Sequence, residues 1–269
     1  MKRNWRIEAI RFLATSGIAI FHFEWIYFGH PIYFQHFYLW VEFFFVLSGF
    51  FLAQNTLKNH DKSIFGPLEY TKKQAIKLWY PYVIAFVFSF IVYCLINNVH
   101  GFNNIISLLF ASKWEIFFWQ LSGFDTSAPV INGVTAYIPA LLFSSVIVYY
   151  LIKKHYALLV NIIIPILPIL IYSHMVNSYG NLSQWLPYES WYTIGLLRGL
   201  AGILLGVGTY IYGTRKFIDL QSETTNFMWK VYRFFSLFIG VIAICALVFL
   251  RNHLSFSDEI IYPYILLYF

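Results

Sequence analysis

The sequence predicts an all-α protein: a polytopic transmembrane helical bundle with seven complete spans, a partial eighth and a cytoplasmic N-terminus. Of the 269 residues, 59% are hydrophobic and only 11% carry charge, whereas about 25% of residues are charged in a soluble domain. The apolar residues form runs of roughly 20, long enough to cross a bilayer as a helix, rather than the short alternating segments of a β-barrel. The basic residues, finally, are unevenly divided between alternate loops.

The apolar runs define the spans in chain order. The first is interpreted as a span and not as a cleaved signal peptide, because it contains Arg11 and His22 and no small-residue cleavage pattern follows it. An eighth run begins near 259 and is still apolar at Phe269. We therefore expect one membrane-embedded domain, 1–269. The complete spans are predicted at 7–28, 37–57, 78–97, 133–152, 156–175, 191–212 and 231–250.

Lys and Arg predict the orientation, because cytoplasmic loops carry an excess of both. With the N-terminus in the cytoplasm, only Lys113 and Arg251 of the 18 basic residues lie outside, and Arg11 and Arg198 lie within spans. The net charge of +6 is thus a topological signal, so we expect the lipid bilayer and no nucleic acid as a partner. The cytoplasmic set is Lys2, Arg3, Arg6, Lys58, Lys62, Lys72, Lys73, Lys77, Lys153, Lys154, Arg215, Lys216, Lys230 and Arg233.

The longest external segment, about 98–132, contains IISLLFASKWEIFFWQL. Lys113 and Glu115 at its centre make it a poor span, so we predict an interfacial or re-entrant helix rich in Trp and Phe. It would act either as an interfacial anchor or as a lid over an outward-facing site.

Ionisable side chains inside spans mark the candidate site, since each costs about 2.5–3.5 kcal/mol at a helix centre and usually faces a partner. Arg11 and His22 are eleven residues apart, so they share one face of the first helix and lie about 16 Å apart along it. This face offers a fixed cation in the cytoplasmic half and a titratable base in the outer half. The alternative is that Arg11 snorkels to the interface and His22 is a hydrogen-bonded core histidine.

Glu42 lies near the outer end of the second span, at a depth that we expect to match that of His22. A carboxylate there would orient the imidazole and stabilise its charged form. The alternative is a water-exposed interfacial carboxylate, which is also our interpretation of Glu24. Ser48 is expected to bond back to its own helix, beside a glycine that allows close packing.

A basic cluster stands where the first cytoplasmic loop meets a helix, in EYTKKQAIKLWYPY. The cluster consists of Lys72, Lys73 and Lys77. Such a group suits phosphate ligands, but it is also what the positive-inside rule requires. Both interpretations stay open.

Two motifs carry a family resemblance. Arg-x10-His in the first span, followed by FFFVLSGFFLA in the second, resembles the acyltransferase-3 family of integral membrane acyltransferases. Later family regions are similar to three further stretches: the basic loop before YPY, INGVTAYIPALLF and GLLRGLAGILLG. In the last of these, Arg198 stands in the family's usual arginine position. The resemblance therefore covers essentially the whole chain. The loop has lysines where the family usually has arginines. Beside the ten spans that the family implies, the chain is short at its C-terminal end.

The resemblance implies transfer of an acyl group, often acetyl, from acyl-CoA to a hydroxyl, usually on a cell-envelope glycan, a lipid-linked sugar or a secondary metabolite. It implies a multi-pass protein of the cell membrane, specifically the bacterial cytoplasmic membrane, and no metal is expected. A transporter or flippase with an intramembrane Arg, His and Glu path is the main alternative, and a catalytically inactive membrane subunit is another. The expected catalytic residues are His22, Arg11 and Glu42, and the expected donor-binding residues are Arg11, Lys72, Lys73, Lys77 and Arg198.

Overall fold

The computed structural model describes residues 5–58, 66–116, 131–132, 137–182, 188–189 and 192–223. Within these ranges the fold is helical, apart from one short antiparallel pair of strands, β1 (Tyr188–Glu189) and β2 (Tyr192–Thr193). A 3-10 turn (Phe37–Leu39) leads into α2, and a π-helical segment (Leu159–Ile163) joins α7 to α8. The helices are α1 (Trp5–Phe28), α2 (Trp40–Lys58), α3 (Pro67–Ile96), α4 (Phe102–Ala111), α5 (Lys113–Ile116), α6 (Tyr137–Lys154), α7 (Tyr156–Leu158), α8 (Ile164–Tyr179) and α9 (Ile194–Glu223).

Six described segments are long and apolar enough to cross a membrane. They correspond to the first six predicted spans, and the two further ones, 231–250 and the run from 259, lie outside the described residues. The predicted orientation stays a prediction. The cytoplasmic end of the bundle is the end that the orientation places inside, and the outer end is the opposite one. The six segments are Ile7–Phe28, Phe37–Lys58, Pro67–Ile96, Tyr137–Lys154, Tyr156–Tyr179 and Ile194–Gly213.

The third helix begins well before its predicted start near 78. Pro67 stands in the first turn of α3 after Gly66, and Glu69 places a carboxylate there as well. Proline and an acidic side chain both favour a helix N-terminus. The basic cluster therefore lies on a helix that continues without a break into the membrane-spanning part.

The helices that contact α2 show how the bundle is arranged. Gly17 of α1 packs against the ring of Trp40, and Phe21, one turn further on, packs against Tyr38, which precedes Trp40. Residue numbers thus rise along α1 as they fall along α2, so the two helices are antiparallel. We call the depth at which Gly17 contacts Trp40 the Gly17 level.

Helix α9 occupies the centre of the bundle, in contact with α2, α6 and α8. Its packing against α2 depends on two glycines, because a Cβ at Gly49 would overlap the backbone carbonyl of Ile203, and one at Gly206 would overlap that of Val46. Small residues at such positions let membrane helices approach closely. The helical core is therefore built on backbone contact between α2 and α9.

Replacing Gly206 by alanine is expected to lower the thermal stability of the protein, because α2 and α9 must move apart to admit the Cβ. The matched control is Gly213→Ala on the same helix, where a Cβ would meet nothing within 4 Å. Alanine is a better helix former than glycine by about 1 kcal/mol, so the control should be neutral or stabilising. Melting temperatures in detergent measure both, and equal values for the two variants would contradict this account of the packing.

The described part of the segment after α3 folds back toward that helix, and whether it is interfacial or re-entrant stays a prediction. Helix α5 packs against α3, and the hydroxyl of Tyr82 donates to the backbone carbonyl of Glu115 at 2.6 Å. Tyr82 lies fourteen residues before the end of α3 at Ile96, which is about 21 Å along the helix. From the end of α3, the chain thus folds back about 21 Å along that helix, to the level of Tyr82, before α6 begins.

The Glu115 side chain is fully buried and holds this segment in place. Its carboxylate accepts the backbone N–H groups of Ile131 at 2.8 Å and Asn132 at 2.6 Å. Burial raises the pKa of the Glu115 carboxyl, and the two backbone N–H groups offset only part of that effect. Ionisation of Glu115 therefore destabilises the folded state, although the hydrogen bonds that the carboxylate accepts stabilise this segment.

Stability is expected to depend on pH through Glu115. Because the pKa is raised on folding, the stabilising contribution of the neutral form is complete below the unfolded pKa, about 4.3, and is lost as the pH rises through the folded pKa. Glu115→Gln does not titrate, so the melting temperature of the native protein should fall relative to this variant as the pH rises above the unfolded pKa. The control, Glu69→Gln on the exposed surface, should keep the native pH profile. Parallel profiles for native protein and Glu115→Gln would refute the prediction.

Candidate functional site

Helix α1 carries the two side chains that the sequence singled out. It is one uninterrupted helix of 24 residues, so Arg11 and His22 share a face and lie about 16 Å apart along the axis. Relative to Gly17, Arg11 lies about 9 Å toward the cytoplasmic end and His22 about 7.5 Å toward the outer end. The cation and the imidazole therefore lie on opposite sides of the Gly17 level.

The Arg11 side chain is 47% exposed, and its contact with Glu8 at 3.4 Å is long for an ion pair. The guanidinium also interacts electrostatically with Tyr137, the first residue of α6. Exposed pairs of this kind contribute about 0–1 kcal/mol. The Arg11 guanidinium is thus half-exposed and only weakly paired within the described residues.

The imidazole of His22 is half-buried and packs edge-on against the ring of Phe21 at 5.4 Å. Among the described residues, none forms a hydrogen bond with its ring nitrogens. Within the described chain, His22 is therefore not the hydrogen-bonded core histidine that the alternative interpretation expected.

The expected match in depth between Glu42 and His22 is wrong. Glu42 lies two residues to the cytoplasmic side of Trp40, and His22 lies five residues to the outer side of Gly17. The two side chains are thus separated by about 10 Å in depth. The reason is that α1 extends past the start of α2, so counting residues from the helix ends does not align them.

Glu42 is instead the centre of a buried polar cluster that joins three helices. One carboxylate oxygen pairs with Nε of Arg198, and the other accepts the hydroxyl of Tyr172 at 2.7 Å. A terminal nitrogen of Arg198 donates to the backbone carbonyl of Tyr38 at 3.0 Å. Glu42 is 0% and Arg198 2% exposed. We call Glu42, Arg198, Tyr172 and Tyr38 the buried cluster.

The buried cluster changes the roles predicted for two residues. Glu42 makes no hydrogen bond to His22 within the described residues, since its carboxylate oxygens accept from Arg198 and Tyr172. It is not a water-exposed interfacial residue either, because it is fully buried. The Arg198 guanidinium is enclosed, so the donor contact expected for it finds no support in this geometry. A paired and hydrogen-bonded charge is the form in which ions are tolerated inside a fold, and this pair joins α2 to α9.

Glu24 is also buried, although we expected a water-exposed carboxylate. It is 3% exposed and accepts the backbone N–H groups of Ile32, Tyr33 and Phe34 at 2.9–3.2 Å. These residues follow α1 in the connection to α2. Glu24 therefore shapes that connection, because it satisfies N–H groups that no helix or strand would pair.

The three lysines of the basic cluster are exposed on α3, and Lys73 lies 3.7 Å from Glu69. Lys77 precedes Tyr82 by five residues, about 7.5 Å along α3. Tyr82 belongs to the same group of buried hydrophobic side chains as Ile138 and Leu142 of α6. Lys77 therefore lies on the cytoplasmic side of the contact between α3 and α6.

Ser48 differs from the helical threonines around it. The hydroxyls of Thr15, Thr56 and Thr209 each donate to the carbonyl four residues earlier, as we expected for Ser48. Within the described part of the chain, the Ser48 hydroxyl has no hydrogen-bond partner. Its neighbour Gly49 makes the close helix contact that was predicted.

These features define the class of protein, which is a multi-pass membrane protein with a polar site. The helices are apolar, and they carry an exposed arginine, a row of lysines and a histidine that has no hydrogen-bond partner among the described residues. The family profile described as an acyltransferase domain matches residues 4–269. The chain therefore belongs to the acyltransferase-3 family, as the two motifs indicated, and this membership supports a transferase role in a membrane. The comparisons with curated proteins and with solved structures gave no match.

Three tyrosines of the site region were not predicted from the sequence. Tyr172 and Tyr38 complete the buried cluster, and Tyr137 is near enough to Arg11 to interact with it electrostatically. The sequence feature that could have indicated these residues is a tyrosine within or beside an apolar run, since tyrosine hydroxyls inside a fold usually have a hydrogen-bond partner. That signal is weak in a chain with 21 tyrosines.

Proposed function

We propose that this protein transfers an acyl group, most simply acetyl, from acyl-CoA to a hydroxyl of a cell-envelope glycan or a lipid-linked sugar. The observation that carries the proposal is the shared face of Arg11 and His22, about 16 Å apart on one helix and on opposite sides of the Gly17 level. Membership of the acyltransferase-3 family supports the same chemistry. The bacterial cytoplasmic membrane is the proposed location.

The donor would enter from the cytoplasmic end. The exposed lysines of α3 would bind the phosphates of acyl-CoA, although lysine binds them as a point charge and lacks the fork of arginine. Arg11 would hold the donor further in, since its guanidinium is exposed and only weakly paired. The acyl end would then lie toward His22, on the outer side of the Gly17 level.

His22 would act as the general base. It removes the proton from the acceptor hydroxyl, and the oxygen forms a bond to the thioester carbonyl carbon. The tetrahedral intermediate then breaks its carbon–sulfur bond, and the CoA sulfur leaves with the proton that His22 returns. The products are an O-acyl sugar and CoA, so atoms and charge balance without a metal or redox group.

The test is transfer of labelled acetyl from acetyl-CoA by the full-length protein in liposomes, read by mass spectrometry of an added envelope glycan. The expected result is a mass increase of one acetyl group per modified hydroxyl. If the glycan crosses the bilayer chemically unchanged, the protein is a transporter or flippase. If acetyl-CoA binds and no product forms, the protein is an inactive subunit, and in either case the proposal fails.

A further inference from the structure

We propose that Phe21 and Tyr38 are positioning residues for the His22 base. Their rings fix the orientation of the imidazole, and the ion pair between Glu42 and Arg198 in turn fixes Tyr38. The inference rests on the proposed function, because it takes His22 as the general base. It gives the buried cluster a role in catalysis that reaches His22 through two aromatic side chains.

The orientation of the His22 ring depends on packing. No described residue forms a hydrogen bond with its nitrogens, and the ring lies edge-on against Phe21, with centroids 5.4 Å apart and an angle of 78° between the planes. Consecutive residues of a helix point about 100° apart and do not normally face each other. The imidazole is therefore turned toward Phe21, and this contact restricts the rotamers that it can adopt.

Phe21 is itself held on the side of α1 that packs against the start of α2. Its side chain is buried, and its ring makes an edge contact with the ring of Tyr38, with centroids 5.9 Å apart and an angle of 62° between the planes. Tyr38 is buried too and belongs to the 3-10 turn that leads into α2. Edge-to-face aromatic pairs are directional, so a shift of Tyr38 moves the surface on which Phe21, and then His22, rests.

Arg198 fixes Tyr38 by two contacts. A terminal nitrogen of the guanidinium donates to the backbone carbonyl of Tyr38 at 3.0 Å. The guanidinium carbon also lies 5.9 Å from the centroid of the Tyr38 ring, within the range of a cation–π interaction. Arg198 is held in turn by Glu42, and both side chains are almost completely buried. Contacts therefore run without a gap from Glu42 through Arg198, Tyr38 and Phe21 to His22.

Such positioning matters for a base because proton transfer needs a nitrogen within about 2.6–3.2 Å of the acceptor hydroxyl. A misplacement of about 1 Å can lower a rate roughly 100-fold. A carboxylate that is hydrogen-bonded to a histidine often provides the orientation, but Glu42 makes no such bond among the described residues. The packed rings take over this function, since closely packed interiors transmit displacements.

The experiment measures kcat and KM for acetyl transfer by the full-length protein in liposomes. Phe21→Leu and Tyr38→Leu each remove one ring and keep an apolar side chain. Each is expected to lower kcat about 10- to 100-fold and to leave KM for acetyl-CoA unchanged. Tyr38→Phe retains the ring and should recover most of the rate that Tyr38→Leu loses. The matched control is Phe86→Leu, which removes a buried ring on α3; it should lower the melting temperature and keep the native kcat.

Two further measurements separate positioning from stability. Glu42→Leu with Arg198→Met removes the contacts of Arg198 with Tyr38 but refills the core, so kcat should fall about tenfold while CoA binding is kept. Diethyl pyrocarbonate modifies accessible imidazoles, and peptide mass spectrometry reports the rate at each histidine. His22 should react several-fold faster once either ring is removed, because the released imidazole is more exposed, whereas the exposed His174 should react at the native rate.

The possible failures are distinguishable. If Phe21→Leu and Tyr38→Leu keep the native kcat while His22→Gln loses it, this inference is overturned and the proposed function stands. An equal loss of kcat in Phe86→Leu also overturns it, because the loss would then follow from destabilisation. Should Phe21→Leu fail to fold, Tyr38→Leu and the double variant give the same test. If the native protein transfers no acetyl group, the proposed function fails and this inference fails with it.

Discussion

Replacing His22 by glutamine is expected to lower the rate of acetyl transfer by about 10²–10⁴-fold, the usual contribution of a general base. The imidazole forms no hydrogen bond among the described residues, so the substitution removes the base and little structural support. Initial rates with acetyl-CoA and an envelope glycan measure the effect. Because donor binding is assigned to other residues, KM for acetyl-CoA should change much less than kcat.

The matched control is His174→Gln on α8, an exposed histidine whose ring nitrogen lies 3.4 Å from the Ser178 hydroxyl. It should keep the native rate. If His22→Gln also transfers acetyl at the native rate, the assignment of the base is wrong. A melting temperature for His22→Gln well below the native value would indicate a structural role instead.

Breaking the buried cluster is expected to have the largest effect on stability. Arg198→Ala leaves the buried Glu42 side chain without its partner, which costs about 3–5 kcal/mol in the free energy of unfolding. Glu42→Ala should cost a similar amount, since Arg198 then lacks its anion. Thermal or denaturant unfolding in detergent measures both variants. Glu69→Ala is the control, because the exposed pair that it removes contributes about 0–1 kcal/mol.

The double variant Glu42→Leu with Arg198→Met tests the role of the pair. Well-packed apolar side chains often replace a buried ion pair at little cost, so this variant should recover most of the stability lost by either alanine variant. It should also bind CoA as the native protein does, since Arg198 is enclosed. A stable double variant with weakened CoA binding would show that Arg198 contacts the donor after all.

Much of the site follows from the sequence, because the properties involved are local. The shared face of Arg11 and His22 depends only on helical rise and twist, and six apolar runs of membrane-spanning length are enough to predict six helices. The motifs around Arg11, His22 and Ser48 also indicated the family, which the match over residues 4–269 confirms. None of these inferences requires a contact between distant parts of the chain.

The contacts between helices required the tertiary structure. The sequence by itself determined which side chains are unusual for a membrane span, and the fold decided which of them meet. Gly17 against Trp40 sets the offset of α1 relative to α2, which separates Glu42 from His22. Glycines on α9 bring Arg198 next to Glu42 and Tyr172. Depth and partner depend on how two helices are aligned, and that alignment results from packing between residues far apart in the chain.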